Sequence, residues 1–209
     1  FINYKKNKNL NSQLKINGSI NKKFGLDFEK ISLLSKNNSL IVNELVIDKD
    51  NKLSKVDKID LDYIDNDNLK NKFIVNRTKN NNYELKGSLL NANPIITSLL
   101  EGKDNQHLNI FRENINITLN FSDVYFDKEN IVNNLNGILR IIDNKVDHAD
   151  LSALFDNNKD FKFKINTKDG KKITTLFSSK AKPLVKRYKF IEGFEDSNEG
   201  FLDFYSSKK

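Results

Sequence analysis

Apolar and polar residues alternate along most of this chain. The clearest stretch is 114–121, where Ile115, Ile117, Leu119 and Phe121 are separated by Asn116, Thr118 and Asn120. A period of two is the signature of a strand with one apolar and one wet face. A further segment lies near 135–142. In the next, Ala149, Leu151, Ala153 and Phe155 share one phase, and His148, Asp150 and Ser152 share the other. Beyond Asn157-Asn158, Phe161, Phe163 and Ile165 alternate with Lys162, Lys164 and Asn166, and a last strand carries Ile173 and Phe177. The turn between them contains Asp169-Gly170, a strong hairpin signal between alternating runs. Residues 114–178 therefore predict an antiparallel meander with one apolar side.

The first half repeats the pattern less cleanly. Strands are expected at 12–20, 24–34, 40–47, 53–64, 71–77 and 83–90, with polar turns between them. In 24–34, Leu26 and Phe28 hold one phase while Ile31 and Leu33 hold the other, which predicts a β-bulge. Gly18, Gly87 and Gly137 each sit inside an alternating run. Glycine within a strand marks a bend or a close backbone approach, and recurring bends would curve a long sheet.

Two windows break the period. Asn93-Pro94 suits a helix start, Ile95, Ile96, Leu99 and Leu100 share a helical face, and Gly102 suits the stop. At 180–190, Ala181, Leu184, Val185 and Tyr188 follow helical spacing, with Lys182, Lys186, Arg187 and Lys189 facing away. The short basic helix reads as core over the sheet, in preference to a membrane contact. The fold class is all-β: a long, curved, groove-forming antiparallel meander with two short helices, near 94–101 and 180–190. It divides into a repeating-strand segment, 1–90, and a second β-sheet segment, 91–209.

Composition narrows the function. The 209 residues contain no Cys and only two His, so disulfides, thiolate metal sites and His-rich metal sites are excluded. There is no Met or Trp, so the chain reads as an internal piece of a longer protein. Asn is abundant, with 33 residues, and Ala scarce, with four. The net charge of +7 comes from 35 basic and 28 acidic residues that interleave along the chain, as expected of solvated faces. No nucleic-acid motif accompanies it, so no nucleic-acid partner is expected.

The densest carboxylate cluster is Asp60, Asp62, Asp65 and Asp67. It lacks the tight glycine-containing loop of a calcium site, so it reads as a polar strand face entering a turn, and no metal is expected. His107 and His148 lack a nucleophile context, and no phosphate loop, GxSxG or HExxH is present. No catalytic residue and no cofactor is expected, and the chain reads as a non-enzyme.

From Gly87 onward the order of elements resembles the AsmA-like family of large Gram-negative envelope proteins, in particular its YhdP-like branch of alphaproteobacterial type. The stretch Ala149-Asp150-Leu151-Ser152-Ala153-Leu154-Phe155-Asp156-Asn157 carries most of the resemblance. The run from Phe161 to Ile165, then Ile173 to Ser178, the helix from Pro183 and Gly200-Phe201-Leu202-Asp203-Phe204 continue it. Where the family is small and glycine-rich before the helix, this chain has Ser178-Ser179-Lys180-Ala181. The resemblance covers roughly 85–206; residues 1–84 match only as repeating strands.

The resemblance implies a periplasmic segment of a protein anchored in the inner membrane through a part of the parent not present here. Its hydrophobic β-groove would conduct phospholipids between inner and outer membrane and support outer-membrane lipid homeostasis. The partners would be phospholipid acyl chains; the oligomeric state is left open. Each buried CH₂ of a lipid tail is worth about 0.8 kcal/mol, so an apolar lining suffices without specific bonds. The expected lining is Ile115, Ile117, Leu119, Phe121, Ala149, Leu151, Ala153, Phe155, Phe161, Phe163 and Ile165, on the ground of shared strand phase. The alternative is a closed β-sandwich, a binding or adhesion module of an envelope or surface protein, with the same residues as dry core.

Overall fold

In the computed structural model, the described residues are 11–22, 25–79, 81–95, 114–143, 145–188 and 200–208. Their strands are β1 (Ser12–Ile20), β2 (Leu26–Ser35), β3 (Asn38–Ile47), β4 (Leu53–Ile64), β5 (Lys70–Lys79) and β6 (Asn82–Asn91). Then come β7 (Ile115–Tyr125), β8 (Ile131–Ile142), β9 (Lys145–Phe155), β10 (Lys159–Lys168), β11 (Lys171–Ser178) and β12 (Leu202–Lys208). A 3₁₀ turn, Asp156–Asn158, joins β9 to β10, and helix α1 (Lys182–Tyr188) follows β11. The backbone is also helical at 93–95, where the first helix was expected. The remainder of that helix, with His107, lies outside the described residues.

All twelve strands belong to one sheet, in sequence order from β1 to β12. The sheet is curved and open, not closed into a barrel. The sandwich alternative is thereby corrected: among the described residues no second sheet faces the first. The segments expected at 1–90 and 91–209 meet within this sheet at β6 and β7. That pair is parallel, whereas every other neighbouring pair is antiparallel. A parallel pair needs a long crossover, which residues 92–114 supply.

The expected bulge is present. Gly18 pairs with Phe28 and Asn17 with Lys30, leaving Glu29 unpaired. This extra residue puts Phe28 and Ile31, three apart, on the same face of β2. Similar phase changes occur at Glu44 and Asn134, which take the left-handed conformation with φ of 52° and 53°. Asn also occupies that conformation in turns at Asn51, Asn68 and Asn158, where its short polar side chain tolerates positive φ. Asp169 and Gly170 have φ of 51° and 71°, as a tight primed hairpin turn requires.

The strand glycines mark close backbone approach. A Cβ at Gly87 would lie 2.3 Å from the Lys72 carbonyl oxygen, and one at Gly137 would lie 2.2 Å from that of Asp150. Both obstacles are backbone, so the strands would have to part. Gly137→Ala should destabilise the protein by roughly 1–3 kcal/mol, as overpacking does. A urea-unfolding midpoint equal to wild type would contradict this.

Candidate functional site

One row of directly paired residues crosses the whole sheet. It runs Ile16, Ile31, Val42, Ile59, Val75, Leu85, Leu119, Gly137, Leu151, Phe163, Leu176, Phe204. Residues paired across strands project to the same face, so this is a continuous apolar rail, interrupted only by Gly137. With strands about 4.8 Å apart, it is roughly 50 Å long. A flanking row runs Leu14, Leu33, Leu40, Leu61, Phe73, Gly87, Phe121, Leu135. Past a register shift in β8 it resumes as Ala153, Phe161, Ser178, Leu202.

The opposite face is largely polar. Lys164 Nζ lies 3.0 Å from its cross-strand partner Asp150, Arg140 Nε donates to Asp147 at 2.8 Å, and Asp62 pairs with Lys70 and Lys72. Such exposed pairs contribute at most about 1 kcal/mol each, but they keep this side wet. The sheet is thus an open, curved groove with an apolar inner face.

One long side of the groove is sealed. At the ends of β7 to β12, Phe126, Phe155 and Phe161 form an edge-to-face trio with ring centroids 5.1–6.1 Å apart. Leu184 and Val185 of α1, with Ala181 just before it, join this cluster, together with Leu176 and Leu202. The helix is therefore core, as its apolar stripe implied. Lys180 Nζ sits 5.6 Å from the Phe155 ring centre at the margin of the cluster.

At the same ends of β4, β5 and β6 the seal is polar. Asp65, Asn71 and Asn91 are buried. Asn71 Nδ2 and Asn91 Nδ2 donate to Asp65 Oδ2 at 3.0 and 2.7 Å, and the Asn91 N–H donates to Asn71 Oδ1 at 2.8 Å. Asp65 Oδ1 accepts the N–H groups of Asp67 and Leu69 at 2.9 and 3.0 Å. Burial, aided by the Asp65 carboxylate, pushes the Tyr63 hydroxyl up to about 12. Asp65 and Asp67 thus serve a turn and a polar knot, while Asp60 and Asp62 project to the opposite face. Asp48 makes the same turn, accepting from Asp50 and Lys52 N–H groups at 2.9 Å each. Among the described residues, no cluster of acidic or histidine side chains could hold a metal ion.

All eleven residues expected to line the groove lie on its apolar face. Ile117, Leu119, Leu151 and Phe163 are half-buried. Ile115, Phe121, Ala149, Ala153, Phe155, Phe161 and Ile165 are buried, and Phe121, Ala153, Phe155 and Phe161 belong to the cluster that α1 joins. Ile173 and Phe177 are on the other side: they pair with Asn166 and Lys162, whereas Thr174 and Leu176 face the groove. His148 pairs with Arg140 and Asn166, also away from the groove. Sequence reasoning did not place Val42, Leu45, Val56, Ile59 and Val75 in the lining, yet they pack with Ile115 and Ile117 in one cluster. Their alternation was visible, but only the pairing register shows that it continues that of β7. Towards β1 the face opens: Leu14 and Ile16 are 60% and 57% exposed.

Against known proteins, the chain matches no family model, no curated protein and no solved structure. Among the described residues, no helix is long and apolar enough to cross a membrane.

Proposed function

We propose that this groove carries the acyl chains of phospholipids, as a periplasmic segment of an AsmA-like protein of the YhdP-like type that moves lipid between two membranes. The observation that carries this reading is the apolar row from Ile16 to Phe204, in which Gly137 is the one position without a side chain. A dry core needs apolar residues where they can be covered. Here the row reaches both edge strands, and its half-buried members keep a side open. A tail lying along it gains about 0.8 kcal/mol per CH₂ and needs no directional partner, which suits movement from strand to strand. Among the described residues no strand pairs with the outer edge of β1 or of β12, so either edge could take a further strand that extends the same face. No chemistry is asked of the side chains, so the segment acts as a conduit and not as an enzyme. In the parent protein, anchorage in the inner membrane would lie outside this segment.

Native mass spectrometry of the full chain purified from bacteria, with lipid extraction alongside, tests the reading. Phospholipid should accompany the folded chain. A stable, lipid-free chain that also takes up no added phospholipid would overturn it.

A further inference from the structure

The groove face changes chemistry in steps along β10, β11 and β12. One row is Phe163, Leu176, Phe204; the next is Ile165, Thr174, Ser206; the next is Thr167, Lys172, Lys208. From Leu176 to Lys172 is four residues, roughly 13 Å along the strand. The surface passes from apolar through hydroxyl to cationic over the length of a glycerol backbone and the first carbons of its chains.

Lys172 and Lys208 are direct cross-strand partners. Like charges placed directly opposite are destabilising. Elsewhere on the sheet, Lys72, Lys86, Lys162 and Lys164 each have a carboxylate within 4 Å, while among the described residues Lys15, Lys30 and Lys58 have none but face Ser or Asn across the strands. Among the described residues, neither Lys172 nor Lys208 has a carboxylate that close. Both are exposed, and the Thr167 hydroxyl beside Lys172 is committed to the Asp147 carbonyl at 2.9 Å. Two cations with no carboxylate partner among the described residues thus stand at the polar margin of an apolar face.

We infer that Lys172 and Lys208 bind the phosphate of an anionic amphiphile whose chains lie against the half-buried Phe163 and Phe204, on either side of the buried Leu176. This rests on the lipid-carrying reading of the groove and adds a headgroup preference to it. A phosphate between the two ammonium groups removes their repulsion and accepts a charge-assisted hydrogen bond from each. The Thr174 and Ser206 hydroxyls lie one row below, where ester oxygens of the same molecule would sit.

The test measures binding of three probes to the full chain and to its Lys172→Gln/Lys208→Gln variant. The probes are dihexanoyl phosphatidate, neutral dihexanoyl glycerol and inorganic phosphate. The wild type should hold phosphatidate more tightly than the neutral lipid, less so as salt is raised. The variant should lose roughly tenfold or more for phosphatidate, at about 1.5 kcal/mol or more per charged hydrogen bond, and nothing for the neutral lipid. Neutral lipid bound with phosphatidate no tighter, or an unchanged phosphatidate affinity in the variant, overturns the headgroup site and leaves the groove standing. Inorganic phosphate bound as tightly as phosphatidate overturns the lipid headgroup as its source. Failure of both lipids to bind overturns the groove reading and this inference with it.

Discussion

Replacing Phe121 with Asp should unfold the protein. Phe121 is 1% exposed, on β7, and meets Phe73 edge-to-face at 5.8 Å between centroids. It touches the cluster that also holds Val124, Val132 and Leu135. The substitution removes a buried ring, at roughly 3–5 kcal/mol, and leaves an unpaired carboxyl in its place, at several kcal/mol more. Domains are typically stable by only about 5–15 kcal/mol, so little margin remains. β7 also forms the parallel pair with β6, so its loss separates the two halves of the sheet. Circular dichroism and urea unfolding check this; a cooperative transition near the wild-type midpoint would contradict it.

Leu151→Asp should act differently. Leu151 is half-buried in the central row, between Gly137 and Phe163. Its carboxylate can remain in water when the groove is empty, so the fold should survive with a loss of about 1–2 kcal/mol. A tail in the groove must cross that carboxylate. If about three CH₂ groups lose their contacts, the loss is roughly 2.4 kcal/mol, or fiftyfold in affinity. Retained phospholipid should fall accordingly in native mass spectra, while Phe163→Asp, at the next position of the row, should behave alike. Unchanged loading in both folded variants would count against a groove at this face.

Much of the fold is legible from period alone. The alternation of Ile115 to Phe121 and of Ala149 to Phe155 identifies β7 and β9, and Asp169-Gly170 fixes the hairpin between β10 and β11. The change of phase between Phe28 and Ile31 gives the bulge in β2. Alternation does not say which phase faces inward when both are mixed. In β11, Ile173 and Phe177 are the more apolar pair, yet register from β10 turns Thr174 and Leu176 to the groove. Nor does it show direction: β6 and β7 look like any neighbouring strands, and only the crossover makes them parallel. The continuity of the central row is a property of eleven registers together, which no single stretch of sequence contains. The polar knot was hidden for a similar reason, since Asp65, Asn71 and Asn91 come from separate turns and strands.

The most direct measurement compares the two faces of the sheet by photo-crosslinking. A photoreactive side chain is placed at Leu151, on the groove face, or at Ile138, which is 48% exposed and pairs with Thr118 and Asp150 on the other side. Each form is loaded with phospholipid and irradiated. Lipid adducts at position 151 and essentially none at position 138 are the expected result. Equal labelling of the two, or labelling at 138 alone, would contradict a lipid path along the apolar face.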